Sequence, residues 1–356
     1  VEAKTGFRIG LTHVALIFVA SVVCLRAQSS PRAVVEAESG LALARQGKYE
    51  QAIPHYRAAL RLDPRLPGIY LNLGLAYFKL DKFKDAAAVL EQAAKADPDS
   101  FQVRVLLGMS YFGSRRFDSA ATQLKLATRQ QPDNTELRYK LAQCYLWTKQ
   151  YKAAIDEFHY LLTKDPDSAP VHMLLGEVLD AANREDEATR EFEAAIKISP
   201  REPQAHFGLG YLYWKQKRFA EASRELQAEL AIQPQHTQAL TYLGDSEMHL
   251  GNSESALKNL QRVVKLDPNI RLAQLDLGNL LAANHDNAAA EQHLRAAIHL
   301  DPSKTDAHYS LGKLLLAMGR KEDADAEFAI VKKLATQPQQ EPLLDKIRGG
   351  RGEPGH

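Results

Sequence analysis

The chain of 356 residues carries 45 Lys and Arg against 44 Asp and Glu, with 45% hydrophobic and 25% charged residues. That balance is ordinary for a soluble fold and lacks the basic excess of a nucleic-acid binder. Two cysteines, Cys24 and Cys144, with no C-x-x-C spacing, exclude a disulfide framework.

Residues 1–28 stand apart from the rest of the chain. Lys4 and Arg8 precede an uncharged run from Ile9 to Leu25, and Arg26, Ala27 and Gln28 close it. A basic start, an apolar stretch and a small residue read as a signal peptide cleaved after Ala27. The alternative is an uncleaved anchor, since a run of roughly 17 residues is about the shortest that spans a bilayer. A lipid-carrying Cys24 fits less well, because Ser21, Val22 and Val23 do not form the usual small-residue box. Each reading exports the rest of the chain to the periplasm or beyond, with a membrane contact only through residues 9–25 if they are retained. Residues 29–32 then read as a short polar linker.

From Ala33 the sequence is periodic. Pro64, Pro98, Pro132, Pro166, Pro200, Pro234, Pro268 and Pro302 each follow the last by 34 residues. Nine repeats begin at residues 33, 67, 101, 135, 169, 203, 237, 271 and 305. Counted from those starts, position 7 is Leu in eight repeats, from Leu73 to Leu311, with Ser39 in the first. Position 8 is Gly in eight, position 20 is Ala in all nine, and position 24 is always large and apolar, as in Tyr56, Leu90 and Phe158. Apolar spacing within each repeat predicts two helices and a turn. A glycine inside a helix costs about 1 kcal/mol relative to alanine, so recurrent glycine implies close helix packing that offsets it. Proline at position 32 cannot continue the second helix and ends it. No single hairpin buries its own apolar face, so neighbours must stack.

The period and the L-G-x-x-Y…A…F…P pattern closely resemble the tetratricopeptide repeat, over residues 33–338. Position 4, often Trp in that family, is instead Tyr70, Arg104, Arg138 or His172. The resemblance implies an all-α fold: an α-solenoid, a right-handed superhelix of stacked antiparallel hairpins. Thr336 stands where the ninth repeat needs proline, as befits a terminal repeat. Beyond it, a capping helix is expected within 339–348, carrying Leu343, Leu344 and Ile347, and a disordered tail over 349–356.

In the resembled family, one face of each first helix lines a concave groove that holds ligands. Projected at 100° per residue, positions 2, 5, 9 and 12 lie on that face. Position 5 supplies Leu71, Val105, Tyr139 and Phe207; position 9 supplies Leu75, Met109 and Tyr211; position 12 supplies Phe78, Phe112 and Trp214. These ten residues are the candidate partner-binding groove, apolar and aromatic. At position 5, half-burial between adjacent first helices explains the pattern equally well. The large side chains at position 12 point more firmly to a partner site. The expected ligand is a protein or peptide segment held by aromatic anchors. The Lys and Asn clamp that some relatives use for chaperone tails is absent, since Asn72 alone occupies such a slot. The asparagine ladder of glycosyltransferase-linked repeats is missing too.

Basic residues gather at the turn within each hairpin (Lys79, Lys82, Lys84, Arg115, Arg116, Lys149, Lys152, Lys215, Lys217, Arg218, Arg320, Lys321) and aspartates at the other end (Asp63, Asp97, Asp165, Asp267, Asp301). They are expected to complement helix dipoles, with cations near first-helix ends and anions near the next starts, the alternative being a docking edge for acidic partners or lipid headgroups. Cys144 is expected as a buried thiol. His285, His293, His299 and His308 lack metal-ligand spacing, and no HExxH, phosphate loop or G-x-S-x-G occurs. The sequence therefore predicts a non-enzymatic scaffold of the cell envelope or secreted space, without cofactor or metal. Two rivals remain: a glycan-binding accessory of polysaccharide export, and the regulatory part of a glycosyltransferase-type system.

Overall fold

The computed structural model describes residues 30–336. The expected signal or anchor at 1–28, the capping helix at 339–348 and the tail at 349–356 lie outside the described residues. Two compact units divide the chain between Lys164 and Asp165. In the N-terminal unit, four hairpins pair α1 (Pro31–Arg45) with α2 (Tyr49–Leu62), α3 (Ile69–Lys79) with α4 (Phe83–Ala96), α5 (Phe101–Gly113) with α6 (Phe117–Gln130) and α7 (Thr135–Trp147) with α8 (Tyr151–Lys164). In the C-terminal unit, five hairpins pair α9 (Ala169–Ala181) with α10 (Glu185–Ile198), α11 (Ala205–Lys215) with α12 (Phe219–Ile232), α13 (Thr237–His249) with α14 (Ser253–Leu266), α15 (Arg271–Ala283) with α16 (Asn287–Leu300) and α17 (Thr305–Ala317) with α18 (Lys321–Ala335). Within each unit a second helix packs on both its own first helix and the next one. Both units are therefore α-solenoids of stacked hairpins, and no strand occurs among the described residues.

The linker expected over 29–32 is shorter than the sequence implied, because Pro31 is already the first residue of α1. Proline is well tolerated there, where a backbone N–H would have no helical partner. Two first helices start late: α3 and α11 begin after Gly68 and Gln204, both left-handed at φ 72° and 70°. Each follows a proline, Pro67 or Pro203, that opens the repeat as a turn.

The glycine ruler is a packing device. A Cβ on Gly74 would lie 2.5 Å from Leu90 Cγ, and one on Gly244 would lie 2.7 Å from Leu260 Cγ. The same meeting of position 8 with position 24 recurs wherever position 8 is glycine. The facing residues are sealed, with Leu90, Leu124, Leu226, Leu260 and Leu294 all inaccessible to solvent. Alanine at position 20 is equally buried in every hairpin, from Ala52 to Ala324.

The turn within each hairpin carries a feature that composition conceals. Position 15 is left-handed in all nine repeats: Gly47, Asp81, Arg115, Lys149, Asn183, Lys217, Gly251, His285 and Gly319. Around it the backbone closes a Schellman motif. In the second repeat, for example, Lys82 N–H donates to the Tyr77 carbonyl and Asp81 N–H to that of Phe78. Outer carbonyls of the first helix are thereby satisfied, and the chain reverses at once into the second helix.

The dipole expectation holds only in part: Lys79 and Lys215 stand in the last turns of α3 and α11, but other members of the set do not. Lys82, Arg116, Arg218 and Arg320 are N-cap residues of α4, α6, α12 and α18, at the end where a cation is disfavoured. Local acids offset several of them: Arg218 pairs with Glu221 at 3.0 Å and Arg320 with Asp323 at 2.7 Å. Asp63, Asp97, Asp267 and Asp301 do not open the following helices but cap the ends of α2, α4, α14 and α16. Asp63 Oδ1 accepts from Arg65 N–H and Asp267 Oδ1 from Asn269 N–H, which folds the chain across the proline.

Candidate partner-binding faces

In the N-terminal unit, the face formed by positions 5, 9 and 12 of α3, α5 and α7 is lined by large apolar groups. Leu71, Leu75, Phe78, Met109, Phe112 and Tyr139 are each half-buried there. Val105 is not available to a ligand: only 7% of it is exposed. It sits where α3 and α5 meet, so the neighbouring hairpin takes its side chain. Phe78 packs edge-on against Phe83 at 5.4 Å, and Phe112 against Phe117 at 5.5 Å, which fixes both rings at the start of the second helix. The Lys140 ammonium lies 4.8 Å from the Phe112 ring centre and donates to Gln143 Oε1 at 3.0 Å. Burial among these groups lowers its pKa. Beneath this face Cys144 is fully buried, and burial pushes its thiol up to about 12. Such a thiol is inert.

The C-terminal unit builds a different face. Phe207 and Trp214 of α11 are half-buried, but Tyr211 between them is only 5% exposed and leaves the candidate groove. Its ring is held between Trp214 at 5.8 Å and Tyr242 of α13 at 5.1 Å. Tyr242 also lies 4.6 Å from Trp214, and Phe207 stands 4.6 Å from His236. A continuous aromatic wall thus joins the first helices of two hairpins. Trp214 Nε1–H donates to Asp245 Oδ2 of α13. Lys215 bridges Asp180 at 3.0 Å and Glu185 at 2.7 Å. At the last hairpin, Tyr309 and Leu316 are both 51% exposed, because no described helix packs beyond them.

The histidines, which lack metal-ligand spacing in the sequence, take a structural role. His172 and His206 sit at position 4 and each face two acceptors. Nδ1 of His206 lies 2.7 Å from Glu225 Oε2, and its Nε2 lies 3.1 Å from the Pro200 carbonyl. His172 repeats this with Glu191 and Pro166, and His308 with Glu327 and Pro302. Each imidazole ties both helices of its hairpin to the preceding proline turn. His293 bonds Gln274 instead, at 2.7 Å. Among the described residues no three metal-ligating side chains converge.

Repeated hairpins of this geometry, with sealed position 8 and 24 contacts and open first-helix faces, define a helical-repeat solenoid of the ligand-binding kind. Models of the tetratricopeptide repeat match residues 67–100, 111–178, 148–206, 179–228, 207–269, 242–303 and 281–347, and a TPR repeat model matches residues 40–81. One of these models spans more than half of the chain by itself, so the chain belongs to the tetratricopeptide repeat family. No curated protein matches it by sequence. Among solved structures, PilF of Pseudomonas aeruginosa is 18% identical, with a TM-score of 0.51 over 61% of this chain and 96% of that one. YrrB, described as a TPR protein with an unusual peptide-binding site, is 21% identical, with a TM-score of 0.44 over 55% of this chain and 97% of that one. MamA is 19% identical, with a TM-score of 0.41 over 45% and 94%. The likeness to PilF concerns the fold.

Proposed function

We propose that this protein is a non-catalytic scaffold that holds polypeptide partners against the first-helix faces of its repeats. The observation that carries the reading is the set of six half-buried apolar and aromatic side chains on α3, α5 and α7, with Lys140 as a cation among them. Large apolar groups left partly in water on a repeated surface are characteristic of partner sites. Polypeptide suits the face better than a glycan. Phe78 and Phe112 lie edge-on to Phe83 and Phe117, so neither ring is laid flat as a platform for a sugar. Family membership supports a binding role for the same helices. The sequence of residues 1–28 supports an exported location, periplasmic or secreted, which fits assembly of envelope or extracellular complexes.

The test is a selection of random twelve-residue peptides on the full chain, followed by affinity measurement against the triple variant Phe78→Ala, Phe112→Ala, Trp214→Ala. Loss of peptide binding with unchanged helical circular dichroism is the expected result. Equal affinity of the two proteins removes these faces from consideration. An export test is separate: fractionation of cells making the natural chain should find it outside the cytoplasm.

A further inference from the structure

The C-terminal unit contains two buried carboxylates, one of which, Asp276, keeps an oxygen that the unit's own side chains do not satisfy. Asp245 sits at position 9 of α13 and Asp276 at position 6 of α15, and these two first helices touch. Asp245 is 9% exposed and accepts from the Trp214 indole, with the His249 ring nitrogen 3.8 Å away. Asp276 is only 4% exposed, and its Oδ2 has no hydrogen-bond partner. A buried ionised carboxylate without a partner is costly, so such groups are normally paired. Arg271 offsets part of this charge, but its hydrogen-bonded ion pair is with Asp306 on α17. Burial first, and then the charges of Asp245 and Asp306, hold the Asp276 carboxyl well above the usual carboxylate range. Beside this pair stands the aromatic wall of Trp214, Tyr242 and Tyr211.

Two carboxylates on touching helices, one of them bonded to the aromatic wall, offer what a guanidinium or ammonium group needs: charge, acceptors and ring faces. We propose that Asp245 and Asp276, with Trp214 and Tyr242, form a receptor for an Arg or Lys side chain of a bound polypeptide. The inference rests on the polypeptide-binding reading above and adds the chemistry of the partner. The cation satisfies Asp276, and the Trp214–Asp245 bond holds the indole beside it. Specificity then differs along the chain, since the corresponding face of the N-terminal unit carries Lys140 and apolar groups. A basic segment is directed to the C-terminal unit.

The experiment uses the full chain and peptides of alternating leucine and arginine, compared with the same peptides carrying neutral citrulline. Arginine peptides should bind about tenfold to a hundredfold more tightly than citrulline peptides, as expected for a charge-assisted contact. Asp276→Asn, which keeps shape and removes charge, should erase that difference, and Asp245→Asn should reduce it. Binding should also change Trp214 emission, read in a Trp147→Phe background. Equal affinity for both peptides, or an unchanged preference in Asp276→Asn, overturns the receptor while leaving the polypeptide face intact. Failure of every peptide to bind would sink both readings. Free arginine binding as tightly as the peptide would overturn the assignment to a polypeptide.

Discussion

Replacing Gly74 by alanine tests whether close approach, rather than turn formation, explains the glycine ruler. In a free helix the change would gain about 1 kcal/mol. Here the new Cβ would lie 2.5 Å from Leu90 Cγ and 2.6 Å from Leu90 Cδ2, in a pocket where Leu90 is fully buried. Overpacking of this kind costs about 1–3 kcal/mol, which cancels or outweighs the propensity gain, so the protein loses up to about 2 kcal/mol of stability. Leu90→Ala alone should cost about 2–5 kcal/mol. In the double variant the added methyl group enters the vacated space, so the two costs combine to about 1–3 kcal/mol less than their sum. Guanidinium unfolding followed by far-ultraviolet circular dichroism measures all three. A higher midpoint for Gly74→Ala, or strict additivity in the double variant, would refute the packing argument.

Three further outcomes are expected. Arg115→Gly should stabilise the hairpin of α5 and α6 by up to about 1 kcal/mol, because Arg115 is left-handed at φ 62° and pays a steric cost that glycine avoids; thermal denaturation reads it. His206 has its pKa raised, first by the bond to Glu225 and then by the Pro200 carbonyl, against opposing burial, with Glu229 adding charge. The stability it contributes is therefore full below the unfolded value near 6.5 and is lost as pH rises through the folded value. The unfolding midpoint should fall between pH 6 and pH 8, and His206→Gln should flatten that slope; an unchanged slope would count against the tie. Asp276→Asn should gain stability relative to the wild type as pH rises, because the raised pKa of Asp276 means that ionising it in the fold costs stability that asparagine does not lose. Chemical denaturation at pH 4 and pH 9 should show that gain growing with pH, and an equal difference at both would count against it.

The sequence reveals packing wherever one residue type is the only solution. Position 8 is glycine in eight repeats because position 24 presses on it (Ala142 stands there in the fourth), and proline at position 32 follows the helix end, so both appear as a ruler. Position 15 is equally fixed in conformation but leaves only a partial compositional trace: Gly, Asn or Asp fills it in five repeats and Arg, Lys or His in four. Arg115, Lys149 and His285 share nothing except a backbone that the Schellman closure forces, at a cost small enough to be tolerated. The candidate groove was partly legible for a related reason. A helical projection treats each helix alone, whereas Tyr211 lies against Tyr242 of the next first helix and Val105 is sealed within the stack. The same neighbour effect hid Asp276, whose place on the helix looks solvent-facing until α13 is set beside it. The charges misled because residues just outside a helix can belong to either end, and only the backbone trace shows that Asp63 closes α2.

The central claim is that partners lie on the first helices. A selected peptide carrying a photoreactive group at each position in turn, crosslinked to the full chain and mapped by mass spectrometry, tests it most directly. Crosslinks at Leu71, Phe78, Phe112 and Tyr139 on α3, α5 and α7, or at Phe207 and Trp214 on α11, are the predicted result. Crosslinks confined to the outer faces of α4, α6, α12 and α14 would contradict it.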